Sequence, residues 1–358
     1  MEKRLNLAII GQGRSGKDIH GTYYRSDKNQ YFNVKYVVDK DPSRRQKALD
    51  LYPGCEVLAD YRELLNCEGV DLVVNASYSE MHYDITKDLL EHGFNVLTEK
   101  PFAKTRYECD VLIETAKKHN VTLAVFQNTQ LAPFYLHALE LIKNGTLGDV
   151  KQVSIRYNAL ARRWDWQTLQ KKVAGSAYNT GPHPVAMALG FLDFDKDFKV
   201  VYSRLDTALT SGDADDYVKI LLEAPKKPLI DIEINSTDCF TDYNVKIQGS
   251  KGTYKATPAQ YSLCYIVDGE NPERPVIEAS LEDENGNPIY CSEKLVRHDE
   301  SGTYEGSAFD LGTARLYENL YHVIADGADL AVPLEHSAMT IQVIERAHAE
   351  SPLPVKFL

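Results

Sequence analysis

Short apolar runs and amphipathic stretches alternate through the first third of the chain. Residues 5–10, 34–39, 72–76, 95–98 and 122–126 read as strands, with helical stretches near 14–26, 42–51, 81–92 and 104–119 between them. Asp71-Leu72-Val73-Val74-Asn75 and Asn95-Val96-Leu97-Thr98 are short and continuously apolar, as strands covered on both faces are. Gly93 stands where a helix should stop before the next strand. This alternation predicts a parallel sheet with right-handed crossovers, a Rossmann-type domain over residues 1–127.

After Pro133 the rhythm changes. A helix near 134–144 ends at Asn144-Gly145, and longer runs with period-two alternation follow at 150–157, 199–202, 217–222 and 230–234. Alternation of apolar with polar positions predicts an open, mainly antiparallel sheet with one wet face. Two late helical patterns, near 313–326 and 336–350, are expected to pack on its other side. Residues 268–304 are rich in Gly, Pro, Asn, Asp and Glu and read as long loops or a hairpin excursion. The expected fold class is α/β, with a second α/β domain over 128–358 for substrate binding and oligomerisation.

The chain has 358 residues, too many for one ordinary core and enough for two domains. A net charge of −12, spread along the chain, disfavours nucleic acid or an anionic membrane as the main partner. It leaves room for an anionic cofactor held by backbone N–H groups. No apolar stretch approaches membrane-spanning length, and the first strand begins too early for a signal peptide to precede it. The six cysteines are scattered, without a C-x-x-C pair, and read as reduced thiols of a cytoplasmic protein with no metal site.

The first strand runs into Gly11-Gln12-Gly13-Arg14-Ser15-Gly16, a G-x-G-x-x-G turn. In a dinucleotide site Gly11 permits the sharp exit from the strand and Gly13 lets bare backbone approach a pyrophosphate. Gly16 lets the following helix pack on the sheet, with phosphates held at its N-terminus. The second strand ends in Asp39, where such a site needs a carboxylate for the adenosine ribose. A tight turn and a capping aspartate without a ligand would use the same residues. Asp39 favours NAD over NADP; Lys40, Arg44 and Arg45 are the counterweight, although Asp41-Pro42-Ser43 looks like a helix start that would turn both arginines to solvent.

Glu99-Lys100-Pro101 follows the strand at 95–98 and puts a lysine at the C-terminal end of a parallel strand, where open α/β sheets bind ligands. The alternative is a solvated lysine in an ordinary turn. Further on, Asn179 and His183 are four residues apart before an apolar helical run, so one face would carry both. Histidine suits a general base, although one at a helix start often only satisfies backbone groups. Arg163, Trp164 and Trp166 offer a guanidinium for hydroxyls or carboxylate and rings for stacking on a sugar, or they are a surface loop.

Taken in order, the turn at 11–16, Glu99-Lys100-Pro101 and Gly181-Pro182-His183 resemble the Gfo/Idh/MocA oxidoreductases. The likeness extends over Val125-Phe126-Gln127-Asn128, Gly145-Thr146-Leu147-Gly148, residues 247–253 and residues 329–334. It implies a Rossmann domain followed by an α/β domain whose sheet often mediates homo-oligomers. It also implies oxidation of a sugar or polyol hydroxyl, or the reverse. The family's catalytic lysine falls on Lys100 and its histidine on His183. The aspartate four before that histidine is replaced by Asn179, left to hydrogen-bond ribose or substrate. The stretch Thr-Pro-x-x-x-His appears as Ser77, Tyr78 and so on to His82, and Ala186 stands where an aspartate is frequent. Glu99, Pro101, Gln127 and Asn128 are drawn into the cofactor site on the same grounds, and Tyr178 into the substrate site.

The resulting expectation is an NAD-dependent enzyme transferring hydride between a nicotinamide and a secondary hydroxyl or ketone of a sugar, polyol or glycoside. Two rivals stand beside it. One is a non-catalytic dinucleotide-binding regulator on the same fold. The other is an enzyme that keeps NAD and recycles it internally while oxidising a glycoside.

Overall fold

The computed structural model describes residues 4–357. Its first sheet has six parallel strands: β1 (Leu5–Ile10), β2 (Phe32–Val38), β3 (Glu56–Leu58), β4 (Leu72–Asn75), β5 (Val96–Thr98) and β6 (Leu123–Val125), in the order β3-β2-β1-β4-β5-β6. The order reverses between β1 and β4, and crevices for ligands open at such a point. β1 is buried on both faces. Ala8 and Ile10 join one apolar cluster, Leu5, Leu7 and Ile9 the other, which accounts for its unbroken apolar run.

The crossovers contain α1 (Gly21–Tyr24), α2 (Pro42–Leu51), α3 (Tyr61–Leu64), α4 (His82–Glu91) and α5 (Arg106–His119). Asp41 caps α2 by accepting from the Ser43 N–H, with Pro42 in the first turn. Thr105 and Glu108 form a reciprocal capping box on α5. The helix expected near 14–26 divides. Residues 14–20 wind more widely, the Gly21 N–H reaching back five residues to the Gly16 carbonyl, before α1 completes the turn. β3, only three residues long and half exposed at the sheet edge, was not anticipated.

The second half begins with α6 (Pro133–Lys143), β7 (Val150–Asn158), α7 (Ser176–Asn179) and α8 (Pro182–Phe191). Then come β8 (Lys199–Asp206), β9 (Tyr217–Glu223), β10 (Leu229–Asn235), β11 (Val245–Gly249), β12 (Gly252–Ala256) and β13 (Gln260–Tyr265). A small hairpin, β14 (Leu281–Glu282) with β15 (Pro288–Ile289), stands apart. β16 (His298–Thr303), α9 (Ala308–Asp326) and α10 (Leu334–Glu350) close the chain. Eight strands form the second sheet in the order β16-β13-β12-β11-β7-β10-β9-β8, antiparallel except for β7 beside β10. The stretch expected as loop or hairpin therefore also supplies an edge strand, β16, whose polar sequence hides it.

The late helices also depart from expectation. α10 packs on α8, β8 and α5, but α9 turns to the first half. Its Leu316, Tyr317, Leu320 and Tyr321 enter the apolar cluster of Leu7, Ile9, Phe32 and Phe126. The aromatic face of Tyr23, Tyr24 and Phe32 is what it covers; the Tyr317 ring stacks on Tyr23 with centroids 4.5 Å apart. No helix among the described residues is long and apolar enough to cross a membrane.

Candidate active site

A cavity of about 980 Å³ runs along the C-terminal ends of β1, β2, β4 and β5. The glycine turn lies at one end. Gly11 has φ +91°, and a Cβ there would meet the Ala76 carbonyl oxygen at 2.4 Å; one on Gly16 would stand 1.8 Å from the Gly11 oxygen. Both are required by the protein's own packing. Gly13 differs: a Cβ there would have nothing nearer than an Arg44 nitrogen at 3.9 Å, and the residue faces the cavity. Packing leaves that bare backbone unexplained, whereas a pyrophosphate at the turn needs it. Arg14 and Ser15 line the cavity beside it. The residues therefore fit a dinucleotide.

Asp39 directly follows β2, with both carboxylate oxygens engaged. Oδ2 accepts from the Gln12 N–H at 2.7 Å and Oδ1 from the Asp41 N–H at 2.9 Å. Arg44 is 44% exposed, as a helix start predicts, and it also reaches the cavity. Its guanidinium lines the cavity 3.6 Å from Asp39 and 3.7 Å from Asp41, because those carboxylates draw it back over the helix start. Arg45 bonds the carbonyl oxygens of Asp39 and Lys40 instead, and Lys40 lines the same mouth. Asp60, Tyr61 and Arg62 complete this end; they follow the unanticipated β3, so no sequence signal pointed to them.

Lys100 lines the cavity and is joined to Pro101 by a cis peptide bond. Its Nζ donates to the Asn179 carbonyl oxygen at 2.8 Å. Burial lowers its pKa, Glu99 opposes this, and Arg14 and Arg163 add to the lowering. The Glu99 carboxylate is held from below: Oε1 lies 3.0 Å from His20 Nε2, and Oε2 accepts from the Lys100 N–H. Burial by itself would raise the Glu99 pKa, but the bond and charge of His20, with Lys100 and His82, bring it to about 2. A carboxylate only accepts, so His20 Nε2 donates, leaving Nδ1 to the Tyr317 hydroxyl at 2.7 Å. His20 and Tyr317 had no signal in the sequence.

His183 is in the first turn of α8, which Pro182 starts. Its Nδ1 is 2.5 Å from Thr129 Oγ1. Burial first, and then the Lys100 charge, lower its pKa to about 3 against a smaller raising by Glu99, so the imidazole is neutral. Asn179 presents Oδ1 to Gln167 Nε2 at 3.0 Å. A recess of about 170 Å³ adjoins the cavity here, sharing Arg163, Gln167, Asn179 and Thr180 as walls.

Ser77, Tyr78, Glu99, Arg163 and Trp166 also line the main cavity. Tyr78 meets Trp166 edge to face with centroids 4.8 Å apart. Lys172 pairs with Glu80, its Nζ 5.7 Å from the centre of the Tyr78 ring. These contacts join the two halves of the chain, the first of them at the cavity wall.

Other expected site residues support its walls without lining them. His82 is buried between the carbonyl oxygens of Pro101 (2.7 Å) and Ser77 (3.2 Å), its pKa lowered by burial. Gln127 accepts from Gln130 and Ser337, and Asn128 donates to Thr313 at 3.0 Å, tying the junction to α9 and α10. Trp164 is not brought in. It is 76% exposed and, unlike its neighbours Arg163 and Trp166, does not line the cavity. Nor is Tyr178, which is buried, donates to the Lys104 carbonyl oxygen and stacks on His348.

Comparison with known proteins agrees with this architecture. The model of the oxidoreductase family with NAD-binding Rossmann fold matches residues 5–127, and that of the GFO/IDH/MocA C-terminal domain matches 135–255. The scyllo-inositol 2-dehydrogenase (NADP(+)) of Bacillus subtilis is 22% identical, over 97% of this chain and 94% of its own. The 2,7-anhydro-N-acetylneuraminate hydratase of Mediterraneibacter gnavus is 25% identical over 80% and 76%. Among solved structures, GenD2 from gentamicin A biosynthesis, in complex with NAD, superposes with a TM-score of 0.77 at 20% identity, over 100% and 98%. With both domain models matched in order on a parallel sheet and a mainly antiparallel one, the chain belongs to the Gfo/Idh/MocA family of oxidoreductases and has its NAD-binding Rossmann fold.

Proposed function

We propose that this protein is an NAD-dependent dehydrogenase acting on a secondary hydroxyl of a sugar, polyol or glycoside, or on the corresponding ketone. One observation carries the reading. Lys100, from the end of β5, and His183, from the start of α8, meet in the cavity whose far end holds Gly13 and Asp39. When bound, NAD supplies the hydride acceptor. His183 takes the hydroxyl proton, and Lys100 hydrogen-bonds the same oxygen and stabilises its developing charge. Asp39 favours NAD by accepting from ribose hydroxyls where a 2′-phosphate would meet like charge.

The adjoining recess supports a polyhydroxylated substrate. Tyr157, Ser176, Thr180 and Ser236 line the two spaces with hydroxyls that make no hydrogen bond to the described residues. Two relatives are named for an inositol and an anhydro-sugar acid. The test is NAD reduction by purified protein with a panel of sugars, polyols and glycosides, run beside His183→Ala. Turnover with none of them, or full turnover by the variant, overturns the reading. The sheet of β7–β13 and β16 is the proposed surface for homo-oligomers, to be checked by sedimentation.

A second reading is favoured by the Tyr78–Trp166 and Lys172–Glu80 contacts. Tyr78 and Trp166 join the two halves of the chain at the cavity wall, with Lys172 and Glu80 behind them, and would hold a dinucleotide through repeated turnovers, so that one substrate's hydride returns to a second carbonyl. One relative is named a hydratase, a reaction with no net redox change. NAD carried through purification supports this reading, and protein that emerges free of it counts against it.

A further inference from the structure

Among the described residues, His183 has one side-chain hydrogen-bond partner, Thr129. Thr129 lies in the single turn Asn128–Leu131 that follows β6, held in place by the packing of α9. The other candidate for that role is occupied elsewhere: the Asn179 side chain bonds Gln167 and its carbonyl bonds Lys100. A neutral imidazole has one N–H, and the partner of one nitrogen decides which nitrogen carries it. With Nδ1 on Thr129, Nε2 is the nitrogen left for a substrate in the cavity His183 lines.

We propose that Thr129 is a positioning residue: its hydroxyl oxygen accepts from His183 Nδ1–H and so leaves the Nε2 lone pair facing the substrate. The reverse arrangement, with the threonine donating, would put a proton on Nε2 and block it as a base. Acceptance also serves both states of the cycle. When the substrate O–H bond breaks and its proton goes to Nε2, the imidazolium still carries Nδ1–H, and Thr129 still accepts it. A hydroxyl thus does the aiming that a carboxylate would otherwise do, without adding charge beside the ring. This inference rests on the reading of His183 as the base.

The test compares Thr129→Val and Thr129→Ser by nitrogen-15 NMR of the histidine ring and by steady-state kinetics. In wild type and Thr129→Ser the neutral ring should carry its proton on Nδ1; in Thr129→Val the Nε2–H tautomer should dominate. Oxidation by Thr129→Val should lose about ten- to a hundredfold in kcat with little change in KM, while Thr129→Ser stays within about threefold of wild type. An unchanged tautomer in Thr129→Val, or a serine variant as impaired as the valine one, overturns the proposal. His183→Ala separates the two levels. If that variant turns over normally, the base assignment itself falls; if it is inactive while Thr129→Val keeps tautomer and rate, only the positioning role falls.

Discussion

The guanidinium of Arg44 stands 3.6 Å from the carboxylate of Asp39 at the mouth of the dinucleotide cavity. The pair sets attraction and repulsion for a ribose phosphate side by side. Asp39, fixed by two backbone N–H groups, should dominate, so NAD should bind about tenfold or more tighter than NADP, a difference of about 1.4 kcal/mol. Asp39→Ala should narrow that gap chiefly by weakening NAD. Arg44→Ala should widen it by weakening NADP. Titration calorimetry with both nucleotides measures each, and tighter binding of NADP to the wild type would reverse the assignment.

Gly13 and Gly16 should separate binding from folding. Gly13→Val places a side chain in open cavity and should raise the Kd for NAD by about a hundredfold, with the melting temperature nearly unchanged. Gly16→Ala forces a Cβ to 1.8 Å from the Gly11 oxygen and should cost about 1–3 kcal/mol of stability. Normal dinucleotide binding by Gly13→Val would remove the phosphate turn from that position.

Lys100→Ala and His183→Ala should each lower kcat by about a hundredfold or more while dinucleotide binding survives. The pH profile carries a sign. With burial and the Lys100 charge holding the His183 pKa at about 3, the neutral base is the form present above that value. Oxidation should therefore hold its rate as pH falls through the ordinary histidine range. Its acid limb should appear only far below that range. Asn179→Asp adds a negative charge near the ring, favours imidazolium and should move this limb to higher pH. An unmoved limb would place residue 179 out of reach of the base.

Tyr78→Ala removes the ring that Trp166 and Lys172 rest on. It should speed NAD release by about tenfold, read from stopped-flow displacement, and strip dinucleotide from purified protein. Release at the wild-type rate would mean that these contacts do not retain the cofactor.

Much of this arrangement is legible in the sequence, for physical reasons that differ by element. β1, β4 and β5 are apolar because both faces are covered, and α2 begins at a capping Asp41 with Pro42 behind it. β16 is not legible, because an edge strand of His, Asp, Glu, Ser, Gly and Thr takes its conformation from β13. Lys100, His183 and Asp39 stand at strand and helix ends, where position makes them candidates and, for Lys100 and His183, the family resemblance singles them out. Thr129 and His20 become visible only through partners 54 and 297 residues away. A helix start predicts the exposure of Arg44 but says nothing of the Asp39 and Asp41 carboxylates beside its guanidinium. Trp164 is exposed although Arg163, Asp165 and Trp166 around it line the cavity, a difference that residue type and spacing do not encode.

The packing of Tyr317 against β1 and β2 bears on how the molecule is made. As the chain leaves the ribosome, the strands of the first sheet are complete long before α9 exists. The face of Tyr23, Tyr24, Phe32 and Phe126 that α9 covers must wait uncovered until about residue 321 has emerged. Nascent chains are vulnerable to aggregation through such apolar surface. This Rossmann sheet is therefore a late-finishing unit, whose final layer is synthesised only after the whole of the second sheet.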